Sequence, residues 1–186
     1  MKKPLSILNP AQLWNLAGIL TLVRLPLAIV FPFIAADPSW ALGVLLLAAL
    51  TDILDGWVAR LQGTVSHLGG FVDGWIDKIF NINAGWSLVV FDWMPWWLAV
   101  LLFTREWVQI PMVPYYVQRY MRGNIPPNRP LIAGKIASVL LVVAMVASLL
   151  SWENTMYISA ALVSVLGGYS GVYYFVREFE LFSQSD

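Results

Sequence analysis

The chain has 186 residues, the length of one domain. Residues of the AVILMFWYC set make up 59% and charged residues 12%, whereas soluble domains average about 45–50% apolar and about 25% charged residues. This composition excludes a disordered chain, and 11 basic residues against 11 acidic ones leave no basic stripe for nucleic acid. The absence of cysteine excludes disulfides, thiolate metal sites and a cysteine nucleophile. We therefore expect an all-α integral membrane protein with a single membrane domain over 1–186.

Six segments approach the roughly 20 mostly apolar residues that a membrane-crossing helix needs. We predict one bundle of six transmembrane helices at 14–36, 40–60, 67–91, 95–118, 133–151 and 155–176, after an interfacial lead-in at 1–12. Pro26 and Pro32 are expected to kink the first helix. That helix is not a cleaved signal peptide, because Arg24 lies inside its apolar stretch.

Basic residues flank alternate ends of the predicted spans. They are Lys2, Lys3, Arg60, Arg119, Arg122, Arg129, Lys135 and Arg177. The first, third and fifth connections carry Asp37, Asp92 and Glu153 and no Lys or Arg. The positive-inside rule therefore predicts that both termini and the even connections are cytoplasmic. On the opposite side we expect an interfacial aromatic belt made by Trp40, Trp93, Trp96, Trp97 and Trp152.

Four aspartates, Asp52, Asp55, Asp73 and Asp77, lie inside predicted spans, where each bare carboxylate costs on the order of 2.5–3.5 kcal/mol. Asp52 and Asp55 are three residues apart and Asp73 and Asp77 four apart, so each pair shares one helix face. At about 1.5 Å rise per residue, both pairs lie roughly 10–15 Å from the turn predicted at 61–66. An antiparallel helix pair would bring all four carboxylates to one depth, open toward the cytoplasm.

The chemistry that suits such a cluster is metal binding by oxygen. Four like charges in one pocket must be protonated or neutralised. Because His67 is the only histidine, the ligands are oxygens, which suit Mg²⁺, Mn²⁺ or Ca²⁺. Two divalent cations would balance four carboxylates and clamp a phosphate. Gly56 and Gly69 would leave room beside a ligand, while Gly70 and Gly74 equally match a small-residue packing pattern.

The stretch from Asp52 to Asp77 reads D-x2-D-G-x2-A-R-x8-G-x3-D-x3-D and resembles the signature of the CDP-alcohol phosphotransferase family. The resemblance is closest to the phosphatidylglycerophosphate synthase branch. Further residues look like landmarks of that branch: Asn15, Thr21 and Arg24, then Arg105-Glu106 and Gly134-Lys135. It implies six spans, a cytoplasmic active site and a bacterial-type cytoplasmic (inner) membrane.

The resemblance also implies roles for individual residues. Asp52, Asp55 and Asp73 would bind two divalent cations, Mg²⁺ or Mn²⁺, and Asp77 would be both a metal ligand and the general base. The residues matching positions around the cytidine diphosphate are Asn15, Thr21, Gly56, Ala59, Arg60, Ser66 and Gly69. Arg105 and Lys135 would bind a phosphate on the acceptor.

The implied reaction transfers a phosphatidyl group from CDP-diacylglycerol to a small alcohol acceptor, with release of CMP. Glycerol-3-phosphate is the expected acceptor. Three departures from the branch leave inositol phosphate, inositol, serine and choline-type alcohols open. They are Gly74 where proline is common, Ala137 where a second basic residue is common, and a longer loop without an early arginine after Arg105.

Two other functions compete with the transferase. A divalent-cation or proton-coupled transporter also uses intramembrane aspartates, but it would be expected to show inverted repeats, and the sequence has no internal repeat. A scaffold protein is suggested by Gly167-x3-Gly171, a pattern that pairs helices and favours a homodimer. A scaffold would not explain four intramembrane carboxylates.

Overall fold

The computed structural model describes residues 16–61, 67–112 and 131–183. The regular structure in these ranges consists of seven α-helices and one 3₁₀ turn. In chain order they are α1 Leu16–Ile34, α2 Pro38–Leu61, α3 His67–Val90, α4 Trp96–Leu102, α5 Thr104–Gln109, the 3₁₀ turn Ile110–Met112, α6 Ile132–Leu149 and α7 Glu153–Ser183. Five of the predicted spans overlap a single helix each, namely α1, α2, α3, α6 and α7.

Three helices in the described ranges are long and apolar enough to cross a membrane. They contain the segments Pro38–Val58, Ile132–Leu149 and Glu153–Arg177. Large apolar side chains are also widely exposed, with Phe33 at 82% and Ile132 at 75%, a distribution that suits contact with lipid better than contact with water. The chain is therefore an all-α membrane protein. The six spans, their orientation and the single domain over 1–186 stay predictions.

The fourth predicted span, 95–118, is wrong as one continuous helix. Its described part is divided at Phe103 into α4 and α5, and the 3₁₀ turn follows. Phe103 has φ −97° and ψ 18°, and the hydroxyl of Thr104 donates to the carbonyl of Leu101 at 2.6 Å. Such back-bonding by threonine bends helices. The interruption is local, because the Trp107 N–H still donates to the Phe103 carbonyl at 3.0 Å.

The residues divide into two compact units between Phe91 and Asp92. In the first unit α1 packs against both α2 and α3. Phe31 of α1 and Phe80 of α3 are both buried, and their rings meet edge to face with centroids 6.0 Å apart. Asp37 caps α2 by accepting the Ser39 N–H at 2.8 Å. This packing places one face of α1 beside the two helices that carry the aspartates.

In the second unit α4, α5 and α6 pack against α7. The packing of α5 on α7 depends on glycine: a Cβ at Gly167 would lie 3.3 Å from the Arg105 Cβ, and one at Gly171 would lie 3.2 Å from the Val108 Cβ. The Gly167-x3-Gly171 pattern therefore pairs α7 with α5 within the chain. The homodimer stays a prediction with no surface assigned to it.

Candidate metal-binding active site

Three of the predicted carboxylates converge in the first unit. Asp52, Asp55 and Asp73 each place an oxygen within 4.8 Å of the others. Asp52 and Asp55 are one turn apart near the end of α2, and Asp73 lies two turns into α3, so the two helices bring their carboxylates to the same level. Exposure differs within the cluster: the Asp52 side chain is 50% exposed, that of Asp73 36% and that of Asp55 only 7%. The cluster is open at Asp52 and closed at Asp55.

A buried arginine from α1 lies among these carboxylates. Arg24 is 1% exposed. Its Nη1 lies 3.0 Å from an Asp52 oxygen, and its Nη2 lies 3.0 Å from an Asp73 oxygen. Nη2 also donates to Asp55, whose same oxygen accepts the Thr21 hydroxyl at 3.0 Å. Arg24 is the one cation inside the first apolar stretch of the sequence. Its partners could not be predicted from that position alone.

Asp77 lies at the edge of the cluster. Its Oδ1 is 3.9 Å from Nη1 of Arg24, and its side chain is 36% exposed. The same oxygen accepts a hydrogen bond of 3.0 Å from Nδ2 of Asn81, which lies one helical turn later on the same face of α3. Asn81 is a second residue that the sequence analysis missed. The four-residue spacing from Asp77 was the available signal. The hydrogen bond from Asn81 orients the Asp77 carboxylate, which is expected to act as the general base.

The ligand chemistry of this cluster fits a hard divalent cation. Carboxylate oxygens are the donors that Mg²⁺ and Mn²⁺ prefer, and Mg²⁺ is commonly held by one or two carboxylates together with substrate phosphates. When fully ionised, the four aspartates carry four negative charges and Arg24 one positive charge, so three negative charges are not balanced within this group. Room is available as well, because a Cβ at Gly74 would meet no atom within 4 Å in the described part of the chain. Among the described residues, Gly74 therefore makes no close helix contact.

The remaining predicted residues of the nucleotide site fall at the ends of α2 and α3 or outside the described ranges. Thr21 contacts Asp55, as stated above, and Gly56 follows it in α2. Ala59 and Arg60 lie in the last turn of α2, and Gly69 in the first turn of α3. Asn15 and Ser66 are outside the described residues, as are the arginines of the predicted loop 119–131 before residue 131.

A second polar cluster lies in the second unit. Nη1 of Arg105 donates to the Ser138 hydroxyl at 3.0 Å and to the Gly134 carbonyl at 3.3 Å. These partners are neutral, and in the described ranges Nε of Arg105 is buried without a hydrogen-bond partner. Lys135 follows Gly134 in α6 and is exposed. In the described part of the chain Arg105 therefore keeps a free N–H donor, which suits an anion.

Comparisons with known proteins agree with the signature. The family profile described as CDP-alcohol phosphatidyltransferase matches residues 14–168, most of the chain. A probable phosphatidylglycerophosphate synthase of Mycobacterium tuberculosis is 32% identical over 167 residues, which cover 84% of this chain and 76% of the relative. A cardiolipin synthase (CMP-forming) of Streptomyces coelicolor is 32% identical over 163 residues, covering 88% and 73%. The human cardiolipin synthase (CMP-forming) is 34% identical over 105 residues, covering 55% and 35%.

The matched region contains both carboxylate pairs, Arg24 and Arg105, so the residues that form the two polar clusters lie within the part of the chain that defines the family. The relatives are transferases of phospholipid biosynthesis, a membrane-bound chemistry that agrees with the apolar helices. The transporter and scaffold alternatives are set aside. The chain belongs to the CDP-alcohol phosphatidyltransferase family.

Proposed function

We propose that the protein transfers the phosphatidyl group of CDP-diacylglycerol to glycerol-3-phosphate, forming phosphatidylglycerophosphate and CMP, in a reaction that depends on divalent cations. The observation that carries this proposal is the convergence of Asp52, Asp55 and Asp73, whose oxygens lie within 4.8 Å of one another. These three side chains, with Asp77, would hold two cations, Mg²⁺ or Mn²⁺. The cations would neutralise charge on the diphosphate and on the departing CMP.

The proposed chemistry assigns the proton transfer to Asp77. Its carboxylate, oriented by Asn81, accepts the proton of the acceptor hydroxyl. The hydroxyl oxygen bonds to the phosphorus that carries the lipid, the bond from that phosphorus to the CMP oxygen breaks, and CMP takes the electron pair of that bond. Holding both reactants in line at the carboxylate cluster supplies a large share of the acceleration.

Binding of the nucleotide is proposed for seven residues, carried over from the family resemblance: Asn15, Thr21, Gly56, Ala59, Arg60, Ser66 and Gly69. The position of Thr21 supports its place in this group, because its hydroxyl lies 3.0 Å from an Asp55 oxygen. The open space beside Gly74 also supports nucleotide binding here, since a bulky diphosphate needs such room next to the carboxylates.

Recognition of the acceptor phosphate is proposed for Arg105 and Lys135. The free Nε donor of Arg105 and the exposure of Lys135 support this assignment, because a phosphate dianion forms its strongest hydrogen bonds with cationic donors. The similarity to phosphatidylglycerophosphate synthase of M. tuberculosis favours glycerol-3-phosphate. The similarity to the cardiolipin synthase of S. coelicolor favours a second candidate, the same transfer to the free hydroxyl of phosphatidylglycerol.

We further propose that the protein is a homodimer in a bacterial-type cytoplasmic (inner) membrane, with six spans and with both termini in the cytoplasm. The distribution of basic residues supports this orientation, because Lys and Arg are confined to the termini, the even connections and the adjacent ends of the spans, apart from Arg24, Lys78 and Arg105. The cytoplasmic side is also where water-soluble CMP would leave.

An acceptor screen tests the proposed function. The purified protein in detergent is given CDP-diacylglycerol, Mn²⁺ or Mg²⁺, and one acceptor at a time, and lipid products and CMP are measured by mass spectrometry. We expect phosphatidylglycerophosphate from glycerol-3-phosphate, and no CMP when the cations are chelated. Product from phosphatidylglycerol, inositol phosphate, inositol, serine or choline in place of glycerol-3-phosphate would refute the acceptor. Full activity in the chelator would refute the metal dependence.

A further inference from the structure

The carboxylate cluster also contains a buried cation, Arg24, which a simple metal-binding site would lack. Its guanidinium lies between the carboxylates of α2 and α3, with Nη1 3.0 Å from Asp52 and Nη2 3.0 Å from Asp73. Nη2 also contacts Asp55. These are the same three carboxylates that present their oxygens to a metal ion. The guanidinium thus contacts each of the three carboxylates that could share a cation.

The bonding of Arg24 is not that of an optimised structural ion pair. The strong arrangement for arginine is bidentate, with two parallel N–H donors on one carboxylate. Here Nη2 serves two carboxylates, while Nη1 and Nε are buried and form no hydrogen bond of good geometry in the described part of the chain. Leaving such donors unmatched in a side chain that is 1% exposed is costly. The contact therefore depends on charge and is open to replacement by another cation.

A divalent cation and the guanidinium would compete for these carboxylates, because Arg24 already contacts one oxygen of each, namely Asp52 Oδ1, Asp55 Oδ2 and Asp73 Oδ1. Hard divalent cations sit about 2.0–2.6 Å from each oxygen ligand, closer than the 3.0 Å that separates the Arg24 nitrogens from the Asp52 and Asp73 oxygens. Two positive groups so close would also repel each other. We therefore expect metal binding at Asp52, Asp55 and Asp73 to drive the guanidinium from at least some of its contacts.

We propose that Arg24 is a resident counter-cation: it holds the carboxylate cluster together in the metal-free protein and is displaced when divalent cations bind, so that it lowers the affinity for metal. This inference rests on the proposed function, which places the metal at the same carboxylates. Its value to the protein would be that α2 and α3 keep their aspartates at one level before metal and substrate arrive. Arg24 acts here through the aspartates and is a positioning residue.

The test measures Mn²⁺ affinity and thermal stability rather than turnover. Arg24→Met removes the charge, and Arg24→Lys keeps a charge that cannot span several carboxylates. We expect Arg24→Met to bind Mn²⁺ at least about tenfold more tightly than the unmodified protein, with Arg24→Lys between them. Binding is followed by electron paramagnetic resonance of free Mn²⁺ in detergent solution.

Thermal unfolding supplies the second measurement, because bare carboxylates destabilise the metal-free protein. Without metal, Arg24→Met should unfold at a temperature about 5 °C or more below the unmodified protein. Saturating Mn²⁺ should close most of this difference. A difference that persists at saturation would show a purely structural arginine and would overturn the proposal.

Two controls locate the effect. Arg177→Met removes a different partly buried arginine, which lies over the Tyr174 ring at 5.1 Å from its centroid, and should leave Mn²⁺ affinity unchanged. Asp52→Asn alters the most exposed of the three carboxylates and should weaken Mn²⁺ binding.

The outcomes separate this inference from the proposed function. If the unmodified protein binds Mn²⁺ and Arg24→Met binds it equally or more weakly, the counter-cation role is refuted and the metal site stands. If only Arg24→Met binds Mn²⁺, the counter-cation role is supported in its extreme form. If no protein binds it, or if Asp52→Asn binds it unchanged, the metal site fails and this inference fails with it.

Discussion

Replacing Asp77 with asparagine removes the charge and basicity of one carboxylate while nearly keeping the side-chain shape. Asp77 lies at the edge of the cluster, 3.9 Å from Arg24, and its side chain is 36% exposed. The three carboxylates that converge within 4.8 Å are untouched by this change. We therefore expect the variant to fold, to keep its affinity for the CDP-linked donor, and to lose turnover.

The expected loss follows from the proposed role. A positioned general base contributes about 10²- to 10⁴-fold to a rate, which corresponds to about 2.7–5.4 kcal/mol of activation free energy. At saturating Mn²⁺, kcat should fall by that factor. The KM for CDP-diacylglycerol should change by less than about threefold, because an interaction made only in the transition state lowers kcat without raising KM. The melting temperature should stay within about 2 °C.

The assay is the initial rate of CMP release, measured over a range of CDP-diacylglycerol concentrations at saturating acceptor. Asp37→Asn is the matched control: Asp37 caps α2 by accepting the Ser39 N–H, and asparagine caps equally well, so that variant should be fully active. If Asp77→Asn kept its kcat, Asp77 would not be the base. A raised donor KM with normal kcat would instead make Asp77 a donor-binding residue.

Three further predictions concern the neighbouring contacts. Arg105→Gln should raise the KM for glycerol-3-phosphate about 10- to 100-fold, since one charged hydrogen bond is lost, and an unchanged acceptor KM in steady-state kinetics would contradict that role. Asn81→Ala should lower kcat about tenfold by releasing Asp77, with little change in either KM; a normal kcat would show that the hydrogen bond does not position the base. Gly171→Ala should cost about 1–3 kcal/mol in thermal unfolding, because its Cβ would lie 3.2 Å from the Val108 Cβ of α5. In Gly43→Ala the added Cβ meets no described atom within 4 Å, so this variant should be neutral or up to about 1 kcal/mol stabilising; equal effects would refute the packing argument.

The carboxylate cluster could be predicted because it depends on local periodicity. The spacing of Asp52 from Asp55 and of Asp73 from Asp77 places each pair on one helix face, and a short turn between the helices sets their level. Both quantities are contained in the sequence. The turn predicted at 61–66 agrees with the end of α2 at Leu61 and the start of α3 at His67.

The features that were missed depend on how distant segments pack. Arg24 stands out in an apolar helix, but its partners are determined by the way α1 packs against α2 and α3. Likewise the spacing of Gly167 and Gly171 predicts a close helix contact but does not identify the partner helix, which is α5. The division at Phe103 was missed because no proline or glycine marks the bend, although the polar run Thr104-Arg105-Glu106 follows Phe103 directly.

The partners of Arg24 are synthesised well after it: Asp55 follows 31 residues later and Asp73 49 residues later. At about 5–20 residues per second, a ribosome needs roughly 2–10 s to produce them. During that interval the predicted first span carries a lone guanidinium, whose insertion at a helix centre costs on the order of 2.5–3.5 kcal/mol. A nascent chain ending after α1 should therefore remain extractable from the bilayer, and firm anchoring should begin only when α3 has emerged.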